Sequence, residues 1–322
     1  MPNFFFKEPK FFTELLPLSG ISNATTVLCN ESGEYSIYQS DRYGFNNPDI
    51  NYDNNTKERV MLIGDSFVHG ACVDQEDTLS SQLNKVNIPS FSISYGGNGP
   101  LLELATLIEY IHVLKPKIVI WFYAENDLPN LVIEKKSKFL MQYLRKNNFT
   151  QNLSQRQNEI DLLWKKILNQ NLDVVDYLQV TKKKTFLRNL LRKIERAFLL
   201  KPMRDFLKFY YEKELIQHYE TVHKDHLHLY SEILTKVKEI SNNHNSSLYF
   251  VYLPFLSSVV ENTRTKKEII NIVNQLGIQI IDFHEYLKNE NKPESFFPLG
   301  KHGHYNDRGY KELSNLISSH LN

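Results

Sequence analysis

Gly64-Asp65-Ser66 follows directly on the apolar run Val60-Met61-Leu62-Ile63. The run has β-branched residues and no periodic polar face, so it reads as a buried central strand. Asp65 and Ser66 then stand at the carboxyl end of that strand, where open α/β sheets place ligand sites. A serine there can present its hydroxyl to a cleft while the turn's backbone amides face a developing negative charge. All three are also ordinary turn residues, and alone the tripeptide suits a plain turn. Attack on an ester needs a base for the serine proton, usually a histidine, and donors for the oxyanion. His304, just before the last helical stretch, is the candidate base, with Ser66, Gly97 and Asn126 as the candidate donors.

These residues must be carried by a sheet. The run at 59–64 precedes a helix beginning near Asp77-Thr78, with Leu79, Leu83 and Val86 on one face. Strand 89–95 leads into Gly96-Gly97-Asn98-Gly99-Pro100, and Pro100 suits a first helical turn. Leu101, Leu104, Ala105, Ile108 and Ile111 give that helix its buried stripe, and Pro116 stops it. Strand 117–123 ends at Ala124-Glu125-Asn126-Asp127. Residues 130–245 lose the strand rhythm and read as a helical insertion acting as a cap. Strands 247–253 and 278–282 resume it, with a helix between, and a final helix capped by Asn306 or Asp307 closes the chain. Buried strands alternating with helices imply a parallel sheet wrapped by helices. Residues 1–55, aromatic, polar and irregular, read as an arm packed on a core made of 56–129 and 246–322.

The chain has 322 residues, 41% hydrophobic, with 38 Lys plus Arg against 37 Asp plus Glu. That balance argues against a nucleic-acid partner. Two cysteines, Cys29 and Cys72, make no disulfide framework and read as ordinary small residues. Neither a signal peptide nor a membrane span stands out, so a cytoplasmic protein is expected.

The order of these blocks resembles the SGNH/GDSL hydrolase superfamily. Gly64-Asp65-Ser66 looks like its nucleophile block, Gly97 like its second-block glycine, and Ala124-Glu125-Asn126-Asp127 like its third block, with alanine for the usual glycine. His304-Tyr305-Asn306 with Gly309 resembles the last block. The resemblance spans roughly 57–128 and 246–320. It implies a flavodoxin-like three-layer α/β/α sandwich and a serine esterase with no metal or organic cofactor, acting through an acyl-enzyme. Acetyl esters of carbohydrate are the expected substrates. The alternatives are an O-acetyltransferase for a bacterial surface polysaccharide and a catalytically degenerate glycan-binding protein. The family's aspartate before the base is missing: those positions hold Lys301 and His302. The expected acceptor for the His304 ring is therefore a backbone carbonyl, then Asp282, then His302.

Other residues have competing readings. Asp65 could polarise the site or start a helix. His69, one turn past Ser66, could line the cleft, though His304 has the better context for a base. His218, His223, His226 and His228 are spaced so as to scatter around a helix, which disfavours a metal site. Thr181–Lys201 carries eight Lys or Arg against Glu195 beside an apolar stripe. It suits a cap helix with a solvated basic face, a membrane-surface helix or a basic rim for anionic glycans.

Overall fold

The computed structural model describes residues 15–52, 59–170, 226–259, 263–301 and 303–321. The basic stretch 181–201 and His218, His223 and His302 lie outside these residues.

Residues 15–52 are an arm with an antiparallel ribbon, β1 (Thr25–Val27) and β2 (Ile37–Gln39), registered Thr25 to Gln39 and Val27 to Ile37. Asp41 organises the loop that follows. Its buried carboxylate accepts from the Tyr43 and Phe45 amides, Asn47 Nδ2 and Tyr52 OH. Asn47 then pairs with both backbone groups of Ser92, at 2.8 and 2.9 Å, and so covers the edge of the main sheet.

The main sheet holds β3 (Val60–Ile63), β4 (Ser90–Ser92), β5 (Ile118–Ala124), β6 (Ser247–Leu253) and β7 (Gln279–Asp282), all parallel in the order β4-β3-β5-β6-β7. That is the flavodoxin-like order, in which the winding of the chain switches direction between β3 and β5 and opens a crevice at their carboxyl ends. The helices are α1 (Ser66–His69), α2 (Leu79–Lys85), α3 (Pro100–Leu114), α4 (Asp127–Glu134), α5 (Leu140–Arg145), α6 (Gln157–Gln170), α7 (residues 226–243), α8 (Arg264–Gln275), α9 (Phe283–Lys288) and α10 (Asp307–Leu321). Among the described residues of 130–245 there is no strand.

Central β5 shows why the sheet is sandwiched. Ile120, Phe122 and Ala124 face a core shared with Leu79 and Leu83 of α2 and with Leu313 and Ile317 of α10. Val119, Trp121 and Tyr123 alternate to the other face, and all six are at most 2% exposed. Tyr123 meets Tyr230 of α7 edge-on at 5.5 Å. On that second side α5 packs along α3, where Tyr143 OH donates to Glu109 at 2.6 Å.

The cysteines depart from the expectation: Cys29 and Cys72 form a disulfide. A count of two gives no pairing signal. The bond exists because the arm returns over the loop that follows α1. Closing a loop of 43-residue separation is worth about 4 kcal/mol in the chain-entropy account.

Candidate functional site

Ser66 opens α1, and Asp65 is its N-cap, accepting from the Phe67 amide at 2.9 Å. The strand-to-helix turn is tight. A Cβ on Gly64 would sit 2.6 Å from Val68 Cγ2 and 3.1 Å from Phe122 Cβ, so only glycine fits without displacing the core. The turn delivers Ser66 Oγ to His304 Nε2 at 2.7 Å. His304 is fixed through its neighbours. Tyr305 is fully buried and donates to the Pro254 carbonyl at 2.8 Å, and Asn306 caps α10 by accepting from the Gly309 amide at 2.9 Å.

The acceptor behind the histidine is Glu31, on the arm. Its Oε1 lies 2.9 Å from His304 Nδ1, and its Oε2 accepts from the His304 amide at 2.7 Å. Burial alone would raise Glu31, but the bonds from the His304 ring and amide outweigh it and hold the carboxyl below its usual range. A carboxylate accepts and cannot donate, so Nδ1 carries the proton and Nε2 is left to accept from the serine hydroxyl. Gly303 makes room, because a Cβ there would collide with the Glu31 carboxylate.

This corrects the expected orienter, which is neither a backbone carbonyl nor Asp282. Asp282 caps α9 through the His284 and Glu285 amides and pairs with the buried Lys266 at 2.8 Å. His302, the third expectation, lies outside the described residues. Glu31 stands 273 positions from His304, in a stretch without periodicity. The one usable signal was Cys29, two residues before Glu31, together with Cys72, six after Ser66. Joining them brings the acid to the nucleophile.

Asn126 sits where β5 ends. Its Nδ2 donates one proton to Asp65 Oδ2 at 2.8 Å and keeps the second for the cleft. Asp127 fixes this turn by accepting from the Ala124 amide at 3.0 Å. Burial pushes Asp65 up, against the opposing bonds from Asn126, Phe67 and Ser66. Gly97 lies beyond β4 at the same end of the sheet, in left-handed backbone with φ 81°. The adjoining Gly96 amide donates to His69 Nδ1 at 3.2 Å. His69 Nε2 faces Tyr38 OH at 3.0 Å, and burial drives its pKa down to about 3. It is therefore a neutral strut beneath the glycine turn, set apart from the base.

Beside Ser66 a cleft of about 390 Å³ opens, with Phe67, Phe255 and Leu256 on its apolar side and Asn126 and His304 on its polar side. Cys72 Sγ is 3.8 Å from His304 Nδ1. Glu31, Cys72 and His304 thus bring three potential ligand atoms within 4.8 Å. A sulfur held in a disulfide is not the thiolate that binds zinc, so this corner reads as support for the histidine.

No protein-family model and no curated protein sequence matches the chain. Among solved structures, a lipase/acylhydrolase from Enterococcus faecalis is 14% identical over 82% of this chain and 95% of its own, with a TM-score of 0.43. The acetyl xylan esterase AlAXEase is 10% identical over 82% and 100%, with a TM-score of 0.42. A family 3 carbohydrate esterase from Clostridium thermocellum is 12% identical over 81% and 94%, with a TM-score of 0.39. At such identities and scores, the chemistry has to be argued from the site itself.

Proposed function

We propose that this chain is a serine-dependent ester hydrolase working through an acyl-enzyme. The observation that carries the proposal is the unbroken line Ser66 Oγ, His304 Nε2, His304 Nδ1, Glu31 Oε1, with contacts of 2.7 and 2.9 Å. Ser66 Oγ attacks the ester carbonyl as its proton passes to Nε2, and the resulting imidazolium is stabilised by Glu31 across Nδ1–H. The oxyanion is met by the Gly97 amide, the second Asn126 Nδ2 proton and the Ser66 amide. Because the Ser66 amide is also drawn to Asp65, the other two donors have the larger share. His304 returns its proton to the departing alkoxide, and water resolves the acyl-enzyme by the same steps in reverse roles. Acetyl esters of carbohydrate remain the proposed substrates. Transfer to a sugar hydroxyl uses the same acyl-enzyme and differs only in the acceptor. Glu31 supplies the carboxylate that Lys301 and His302 do not, which favours catalysis over the degenerate glycan-binding alternative. The disulfide favours an oxidising compartment over the cytoplasm expected from the sequence. No helix among the described residues is long and apolar enough to cross a membrane.

The test is p-nitrophenyl acetate hydrolysis with and without sugar acceptors, with Ser66→Ala as control. The expected result is turnover that falls by about 10³-fold or more in Ser66→Ala, and a fluorophosphonate adduct on Ser66 by mass spectrometry. Full activity in Ser66→Ala would overturn the proposal, and stimulation by a sugar with acetylated product would mark a transferase.

A further inference from the structure

We infer that the Cys29–Cys72 disulfide is the positioning device for Glu31, so that turnover depends on the oxidation state of this pair. The inference rests on the reading of Ser66, His304 and Glu31 as one catalytic line. Glu31 belongs to a loop tip with little else to hold it. Asn30, Ser32, Gly33, Glu34 and Tyr35 are all exposed, and Gly33 has φ 104°. Ser32 and Glu34 bond to each other rather than to the body of the domain. Among the described residues of this tip, the tie to the body is Glu31's own pair of bonds to His304. The Ser36 amide donates to the Cys29 carbonyl and the Leu28 amide to the Ser36 carbonyl, both at 2.9 Å, which closes the base of the tip. Two ties join that base to the body: the disulfide at Cys29, and Ser36 Oγ donating to the Val73 carbonyl at 2.5 Å. Both end on consecutive residues of the loop that follows the nucleophile's own helix.

The result is a short covalent circuit. From Ser66 the chain runs six residues to Cys72, crosses the disulfide, and reaches Glu31 two residues later. His304 closes the circuit by hydrogen bonds at both ends. Opening the disulfide leaves Cys29 paired with the Ser36 amide, and Ser36 Oγ becomes the nearest tie between the tip and the body of the domain. An exposed tip tied to the body on one side only swings about that tie, and the fraction of time in which the carboxylate meets Nδ1 falls. Chemically, a dithiol reagent supplies two electrons and two protons. The S–S bond becomes two thiols, and the reagent becomes a disulfide.

The experiment compares oxidised protein with protein reduced by dithiothreitol and desalted without air, so that the reagent does not cleave the nitrophenyl ester. It is run on the wild type, Glu31→Gln and Cys29→Ser/Cys72→Ser, at a temperature where circular dichroism shows each folded. Reduction is expected to lower wild-type kcat about tenfold or more with KM little changed, and the double serine variant should match the reduced wild type. In Glu31→Gln, reduction should change kcat less than about twofold, because the group the disulfide positions is already gone. A merely structural bond would lower both enzymes by the same factor, and that outcome overturns the inference, as does full kcat in reduced wild type. If Glu31→Gln is as active as wild type, the catalytic line itself is wrong and the inference falls with it. Oxidised Glu31→Gln therefore tests the line separately from the latch.

Discussion

The two sides of the His304 ring are served by regions with different physics. On the Nε2 side, Ser66 and Asn126 stand on strand ends whose residues are sealed in the core: Ile63 is fully buried, and Ala124 is 2% exposed. On the Nδ1 side, Glu31 keeps 31% of its side chain exposed and sits in a solvated loop tip. Both deliver an oxygen within 2.9 Å of the ring. The first does so through many small packing contacts and cannot fail locally without failing globally. The second does so through one covalent bond and a handful of hydrogen bonds, so it can open while the core stays intact. One site thus has a rigid half and a releasable half.

The largest effect that separates the halves is expected from Glu31→Gln. Gln offers an amide oxygen but no charge for the imidazolium, so kcat should drop by about 10²–10⁴-fold. Melting temperature should hardly move, since a partly exposed loop residue contributes little to the core. Asp282→Asn is the counterpart: it loosens the Lys266 pair and lowers the melting temperature while leaving kcat unchanged. Steady-state kinetics and thermal unfolding on the two variants check both halves. An Asp282→Asn enzyme with the kinetic defect and a silent Glu31→Gln would reverse the assignment of the orienting acid.

The same division explains what was legible in the sequence. The continuous apolar runs at 60–63, 118–124 and 247–253 announce buried parallel strands, and buried strands dictate where Ser66 and Asn126 emerge. His304 was legible because it precedes a helix with an apolar stripe and a cap. Glu31 was not, because nothing periodic in residues 28–36 says where that loop goes; its place depends on a disulfide and on Ser36. Asp282 misled because a carboxylate at a strand end is also an ordinary helix cap, and the cap won.

A stability effect of intermediate size sharpens the rigid half. Glu134, the last residue of α4, is buried and accepts from the Gly99 and Leu101 amides at 2.7 and 2.9 Å, holding the glycine turn and the start of α3 onto α4. Burial outweighs these bonds and pushes its pKa from 4.5 up to about 7. The folded state therefore keeps the proton over a window where the unfolded state has lost it. That contribution is fully present below pH 4.5 and is lost as pH rises through about 7. At about 1.4 kcal/mol per unit it amounts to about 3 kcal/mol. Denaturant unfolding from pH 4.5 to 8 should show this decline in wild type and a flatter profile in Glu134→Gln. Equal slopes in the two would remove Glu134 as its source.

The smallest effects come from one substitution made once in each half. Gly64→Ala puts a methyl against Val68 and Phe122 inside the core, and such overpacking costs about 1–3 kcal/mol. Both melting temperature and kcat should fall, because the turn that aims Ser66 moves with the strand. Gly303→Ala puts the same methyl against the Glu31 carboxylate, at a loop that can give way. There the tip should shift outward, lowering kcat about tenfold with little change in melting temperature. Part of that loss should be recovered by Gly303→Ala/Glu31→Asp, since the shorter acid retreats from the methyl and still offers a carboxylate. The readout is the ratio of kinetic to thermal loss in each variant. Equal ratios at positions 64 and 303 would mean that the two sides of the His304 ring are held in the same way after all.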